Sequence, residues 1–122
     1  MPLKVIMTKG PHGVCTVVPV GFIDSLTYSE LEEKVKPLLV PDTKAIIFNM
    51  AGVEYISSMG LNVIFKVRSY LESRGGVVIL SELQPQVKKV FDIVKALGSM
   101  KIFESIEEMD AYLSAMQRND KK

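Results

Sequence analysis

The chain has 122 residues, of which 48% are hydrophobic and 24% charged, with a formal net charge of +1. That is one compact domain with a single core, too apolar for an intrinsically disordered chain. The fifteen basic residues are scattered rather than gathered into a stripe, which argues against nucleic acid as a partner.

The first two β-branched runs, "LKVIMTK" (3–9) and "GVCTVVPVG" (13–21), flank "GPH" and predict an N-terminal hairpin, with Pro19 marking a sheet edge or bulge. "TYSE" (27–30) has the form of a capping box, so a helix is expected from Thr27; Pro37 stops or kinks it near Lys36. "KAIIFNM" (44–50) reads as a central strand covered on both faces. From Ser58 the residues Leu61, Ile64, Phe65, Arg68 and Leu71 recur at helical spacing, which predicts a helix to about Ser73 with glycines at its end. "VVIL" (77–80) is a second short buried strand, completing a parallel βαβ unit. Pro85 opens a helix carrying Val87, Val90, Phe91, Val94 and Leu97, with Gly98 as its stop. "KIF" (101–103) predicts a last edge strand. A helix capped by Ser105 follows, with Ile106, Met109, Leu113 and Met116 on one face. The remaining "QRNDKK" (117–122) has nothing to bury and is expected to be a disordered tail, leaving residues 1–116 as a single domain.

Cys15 is the only cysteine and His12 the only histidine, so no internal disulfide or cysteine-based metal site can form, and a Ser-His triad has little to draw on. No apolar run approaches the roughly eighteen residues that cross a bilayer, and the N-terminus lacks signal-peptide features; no membrane insertion and a cytoplasmic location are expected. Neither a phosphate loop, nor paired metal ligands, nor a nucleophile elbow occurs, and the chain is read as neither an enzyme nor a cofactor protein. The stretch "YISSMGLNVIF" (55–65) places two adjacent serines where the second long helix begins. One of them is expected to cap that helix. A serine hydroxyl there is also accessible to modification, because a phosphate would rest on the first-turn amides and the positive end of the helix dipole. Met59, next to Ser58, either faces solvent and contributes to a contact patch or is partly buried.

Several segments in order resemble the STAS domains (sulfate transporter and anti-sigma factor antagonist), in particular the small bacterial anti-sigma factor antagonists. "GFIDSLTYSEL" (21–31) is similar to the family's Gly-x-Leu/Ile-Asp and first helix, with Asp24 as the aspartate. "IIFNMAGVEYISSMGLNVI" (46–64) is similar to its strand, Gly-Val and Asp-Ser-x-Gly-Leu loop. "GGVVIL", "QPQVKKVFDIVKALG" and "KIFESIEEM" follow in the family's order. The resemblance implies an α/β fold: a mixed sheet of four to five strands, built from an N-terminal hairpin and central parallel strands, with about four α-helices mainly on one side. It implies an anti-sigma factor antagonist that binds an anti-sigma factor doubling as a serine kinase. Ser58 stands at the phosphorylated serine and Gly60 at the glycine, and a serine phosphatase restores the cycle. Asp24, Asn49, Ser57, Ser58, Met59 and Gly60 would form the docking surface of a monomer or weak homodimer. Two positions depart from the pattern: Ser57 replaces the loop aspartate, becoming an alternative acceptor, and Asn49 stands where the strand often has aspartate. A scaffold module that is never phosphorylated, working in a larger signalling or transport complex, is the alternative.

Overall fold

The computed structural model describes residues 3–97 and 105–119. Strands β1 (Lys4–Lys9) and β2 (Val14–Ile23) form the expected antiparallel hairpin, Lys4 opposite Val20 and Lys9 opposite Cys15. In the turn between them His12 and Gly13 take left-handed backbone, with φ of 62° and 77°. A Cβ on Gly13 would lie 2.4 Å from the Asp42 carbonyl oxygen, so both conformation and space require glycine there.

At ten residues, β2 is long enough to serve two parallel neighbours in succession. Its first half pairs with β3 (Ala45–Asn49), and its end with β4 (Val53–Ile56), where Gly21 lies beside Val53 and Ile23 beside Ile56. Pro19 falls in the interval between these partners, where its missing N–H leaves no parallel ladder incomplete. The register shifts between Gly21 and Phe22, so the strand continues past the expected bulge to Ile23. With β5 (Val77–Ser81) parallel to β3, the mixed five-stranded sheet runs β1-β2-β3-β5, and β4 sits beside the end of β2. β4 was not foreseen as a separate strand, because four residues after a Gly52 turn carry too little alternation to register as a period.

Among the described residues four α-helices accompany the sheet: α1 (Tyr28–Val35), α2 (Ser58–Glu72), α3 (Pro85–Leu97) and α4 (Ile106–Asn119). α1 stops as expected, tightening into a 3-10 turn over Lys36–Leu38 around Pro37. Its start differs from a capping box. Thr27 Oγ1 donates to the Phe22 carbonyl (2.7 Å) and accepts from the Asp24 amide (2.9 Å), while Asp24 Oδ1 accepts from the amides of Leu26 and Thr27. The turn before the helix thus uses the threonine hydroxyl, and no side chain caps α1.

One face of the sheet is buried by Val17, Ile46 and Phe48 against Leu31 of α1, Leu61, Ile64 and Leu71 of α2, Val87 and Val90 of α3, and Leu113 of α4. Among the described residues the other face stays open. Ile6, Val77 and Ile79 are 44–47% exposed, and only alternate residues of β3 are fully buried. The expectation of strands covered on both faces is therefore corrected. β-branched residues favour a pleated strand whether or not the second face is covered, so the apolar run alone overstated burial.

A second correction concerns the C-terminus. The supposed tail begins inside α4, which runs to Asn119, and Gln117 is 1% exposed. Ser105 caps the helix as expected, its Oγ accepting from the Glu108 amide at 3.0 Å. The Gly98 stop, the strand expected at 101–103 and residues 120–122 lie outside the described residues, as do the side chains of Leu97, Ile106, Met109 and Met116.

Candidate functional site

The β4–α2 junction is drawn tight by backbone bonds to β2: the Ser57 amide donates to the Ile23 carbonyl at 2.8 Å. Ser57 has extended backbone (φ −92°, ψ 174°) and is the N-cap of α2, its Oγ accepting from the Gly60 amide at 3.2 Å. Of the two serines, the first is therefore the cap. Ser58 is the first helical residue, and its hydroxyl does nothing for the fold: Oγ is buried with no hydrogen-bond partner.

Gly60 lets α2 approach the sheet closely. A Cβ there would stand 2.6 Å from Ile23 Cγ2, 3.0 Å from Ile56 Cγ1 and 3.2 Å from the Ile23 carbonyl oxygen. Its role in this structure is close packing. Asp24 adjoins the junction through Ile23, but its carboxylate is engaged by the amides of its own turn. Asn49 ends β3 beside Ser81, and its Oδ1 accepts from the Ala51 amide at 3.1 Å, which makes it a turn former rather than a member of the serine cluster. Met59 is partly buried, the second of the two alternatives the sequence left open. The structure thus brings together Ser57, Ser58, Met59 and Gly60, sets Asp24 beside them, and leaves Asn49 bonded elsewhere.

The expectation of an accessible Ser58 is overturned, since the residue is 3% exposed. The cause is α4. Asp110 Oδ1 accepts from the Ser58 amide at 2.8 Å, occupying a free donor at the start of α2. Gln117 binds the backbone of Ile56 from both sides: its Oε1 accepts from the amide at 3.0 Å and its Nε2 donates to the carbonyl at 2.9 Å. The side-chain amide completes β4 as a neighbouring strand would. The hydroxyls of Tyr55 and Ser114 also meet, and Tyr55 stacks on Phe22 with ring centroids 5.7 Å apart. Asp110, Ser114 and Gln117 were missed by sequence reasoning, although a signal existed: Gln117 lies four residues after Leu113, so a polar amide continues the apolar face of the helix.

Among the described residues, no group of three or more His, Cys, Asp or Glu side chains could hold a metal ion, and no helix is long and apolar enough to cross a membrane. The geometry defines a small α/β domain that carries a serine with no structural duty at a strand-to-helix junction. The family model of the STAS domain matches residues 5–109, and the chain belongs to that family. It is 28% identical over 97 residues to BtrV of Bordetella bronchiseptica, which carries the name of an anti-sigma factor antagonist; the match covers 80% of this chain and 81% of that protein. Among solved structures, the unphosphorylated form of the anti-sigma factor antagonist SpoIIAA aligns with a TM-score of 0.64 at 19% identity, over 74% of this chain and 83% of that one. The phosphorylated form of the Bacillus protein SpoIIAA gives 0.65 at 20% identity, over 78% and 86%. An anti-sigma factor antagonist from Mycobacterium paratuberculosis gives 0.63 at 21% identity, over 94% of each chain. These likenesses carry the fold: five strands in a mixed sheet with four helices.

Proposed function

We propose that this chain is an anti-sigma factor antagonist, acting in the cytoplasm as a monomer or weak homodimer by binding rather than by catalysis. Its partner is an anti-sigma factor that is also a serine kinase, and the switch is phosphorylation of Ser58. The observation that carries the reading is the division of labour between the two serines: Ser57 caps α2, so the hydroxyl of Ser58 is left without a partner at the first turn of a helix fifteen residues long. In the transfer, Ser58 Oγ bonds to the γ-phosphorus of ATP, the bond to ADP breaks, and the hydroxyl proton passes to a base of the kinase. The product would place nearly two negative charges where first-turn amides and the helix dipole favour an anion. A docked partner would then meet a charge it was not shaped to desolvate, and binding would weaken. A serine phosphatase, returning the phosphoryl group to water as inorganic phosphate, would reset the switch.

The anti-sigma factor kinase from the same cells supplies the test. Ser58→Ala is expected to bind it as the unmodified chain does, and Ser58→Asp at least about tenfold more weakly. Equal binding by the two variants would remove the switch. The open sheet face carrying Ile6, Val77 and Ile79 favours a second reading, that of a scaffold module never phosphorylated.

A further inference from the structure

A kinase cannot phosphorylate a serine it cannot reach, and Ser58 is 3% exposed, with residues far along the chain bonded to the backbone around it. Gln117 holds the Ile56 backbone, and Asp110 takes the Ser58 amide. The second contact is the more telling. A carboxylate at the start of α2 occupies the place where a phosphate on Ser58 would look for its own amide donors. The two anions cannot share that place, since each like charge disfavours the other. Glu107 and Glu108, in the first turn of the same helix, add to the negative charge that α4 carries.

We propose that α4 is an intramolecular lid, docked through Gln117 and Asp110, that withholds Ser58 from its kinase, and that a phosphate on Ser58 holds the lid open. The proposal rests on Ser58 being the phosphoacceptor. It makes Asp110 an internal stand-in for the phosphate, and it makes phosphorylation depend on how often α4 undocks. Residues 110 and 117 of α4 exclude the modification while docked; the modification, once made, excludes them.

Thiol labelling reads the lid without any kinase. In a Ser58→Cys chain, the introduced thiol replaces a hydroxyl that bonds to nothing, and the buried native Cys15 serves as an internal reference for opening of the core. Adding Gln117→Ala is expected to speed modification of the introduced thiol by 5,5′-dithiobis(2-nitrobenzoate) about tenfold or more, as the loss of two hydrogen bonds to Ile56 implies, with Cys15 unchanged. Equal labelling rates at position 58 in the two chains would overturn the lid. So would acceleration of both thiols together, because α4 would then open only with the whole core. The reverse coupling is read in Ser58→Glu, where hydrogen exchange of the Ile56 amide, bonded to Gln117 in the closed state, is expected to rise by a similar factor. An unchanged Ile56 rate would contradict the expulsion of α4. The two readings fail separately: a working lid over a serine that no kinase modifies leaves the labelling result intact, and a phosphorylated Ser58 with rates indifferent to Gln117 removes the lid alone.

Discussion

Gly60→Val is expected to destabilise the domain by about 3 kcal/mol, with Gly60→Ala costing about 1–2 kcal/mol. The new Cβ would lie 2.6 Å from Ile23 Cγ2 and 3.2 Å from the Ile23 carbonyl oxygen, a contact with backbone that no rotamer change relieves. Overpacking of this kind costs roughly 1–3 kcal/mol, and alanine recovers up to about 1 kcal/mol through its better helix propensity. Valine recovers less, because its branch is restricted in a helix, and it adds two methyl groups to a full space. Thermal unfolding would check both, since 1 kcal/mol shifts the Tm of a domain this size by about 3–6 °C. Relief of the clash requires α2 to move off β2 and β4, which would also displace Ser58. A fully stable valine variant would show that the junction is looser than its contacts imply.

Gln117→Leu should cost about 2–4 kcal/mol, although leucine matches glutamine in size and would suit the face that Leu113 occupies. Glutamine answers both polar groups of Ile56, while leucine leaves a buried N–H and a buried C=O without partners, each costing about 1–3 kcal/mol. Denaturant unfolding gives the total, and amide exchange separates its parts: if α4 undocks, Ile56 regains water and exchanges fast while β3 stays protected. An unchanged unfolding midpoint, with slow exchange at Ile56, would show that another group satisfies the β4 edge.

The hairpin, the end of α1 and the span of α2 were legible because glycine, proline and helical spacing act within a few residues of themselves. Pro37 ends α1 where its missing N–H dictates, and the Ser57–Ser58 pair yields a helix cap, as its position implies. The errors share a longer reach. Ser58 was expected to be accessible because a strand-to-helix loop usually is, but its amide bonds to a residue 52 positions away, and Ile56 bonds to one 61 positions away. No local pattern encodes that pairing. Gln117 was assigned to a polar tail by composition, when its position one turn after Leu113 placed an amide on the docking face. The apolar β5 was read as a buried strand, although Val77 and Ile79 follow strand propensity on an open face. Asn49 and Asp24, placed in the proposed docking surface by their family positions, each accept from amides of their own turns, a local role that the sequence reading did not assign to Asn49.

The central claim is that Ser58 is a working phosphoacceptor, and the intact mass of the protein isolated from its native cells, with fragmentation to locate any phosphate, tests it most directly. The account predicts a single phosphate on Ser58 in a fraction of the molecules that changes with growth phase or stress. A chain unmodified under every condition would contradict it and transfer support to the scaffold reading; one phosphorylated at Ser57 alone would contradict it by moving the switch to the neighbouring serine.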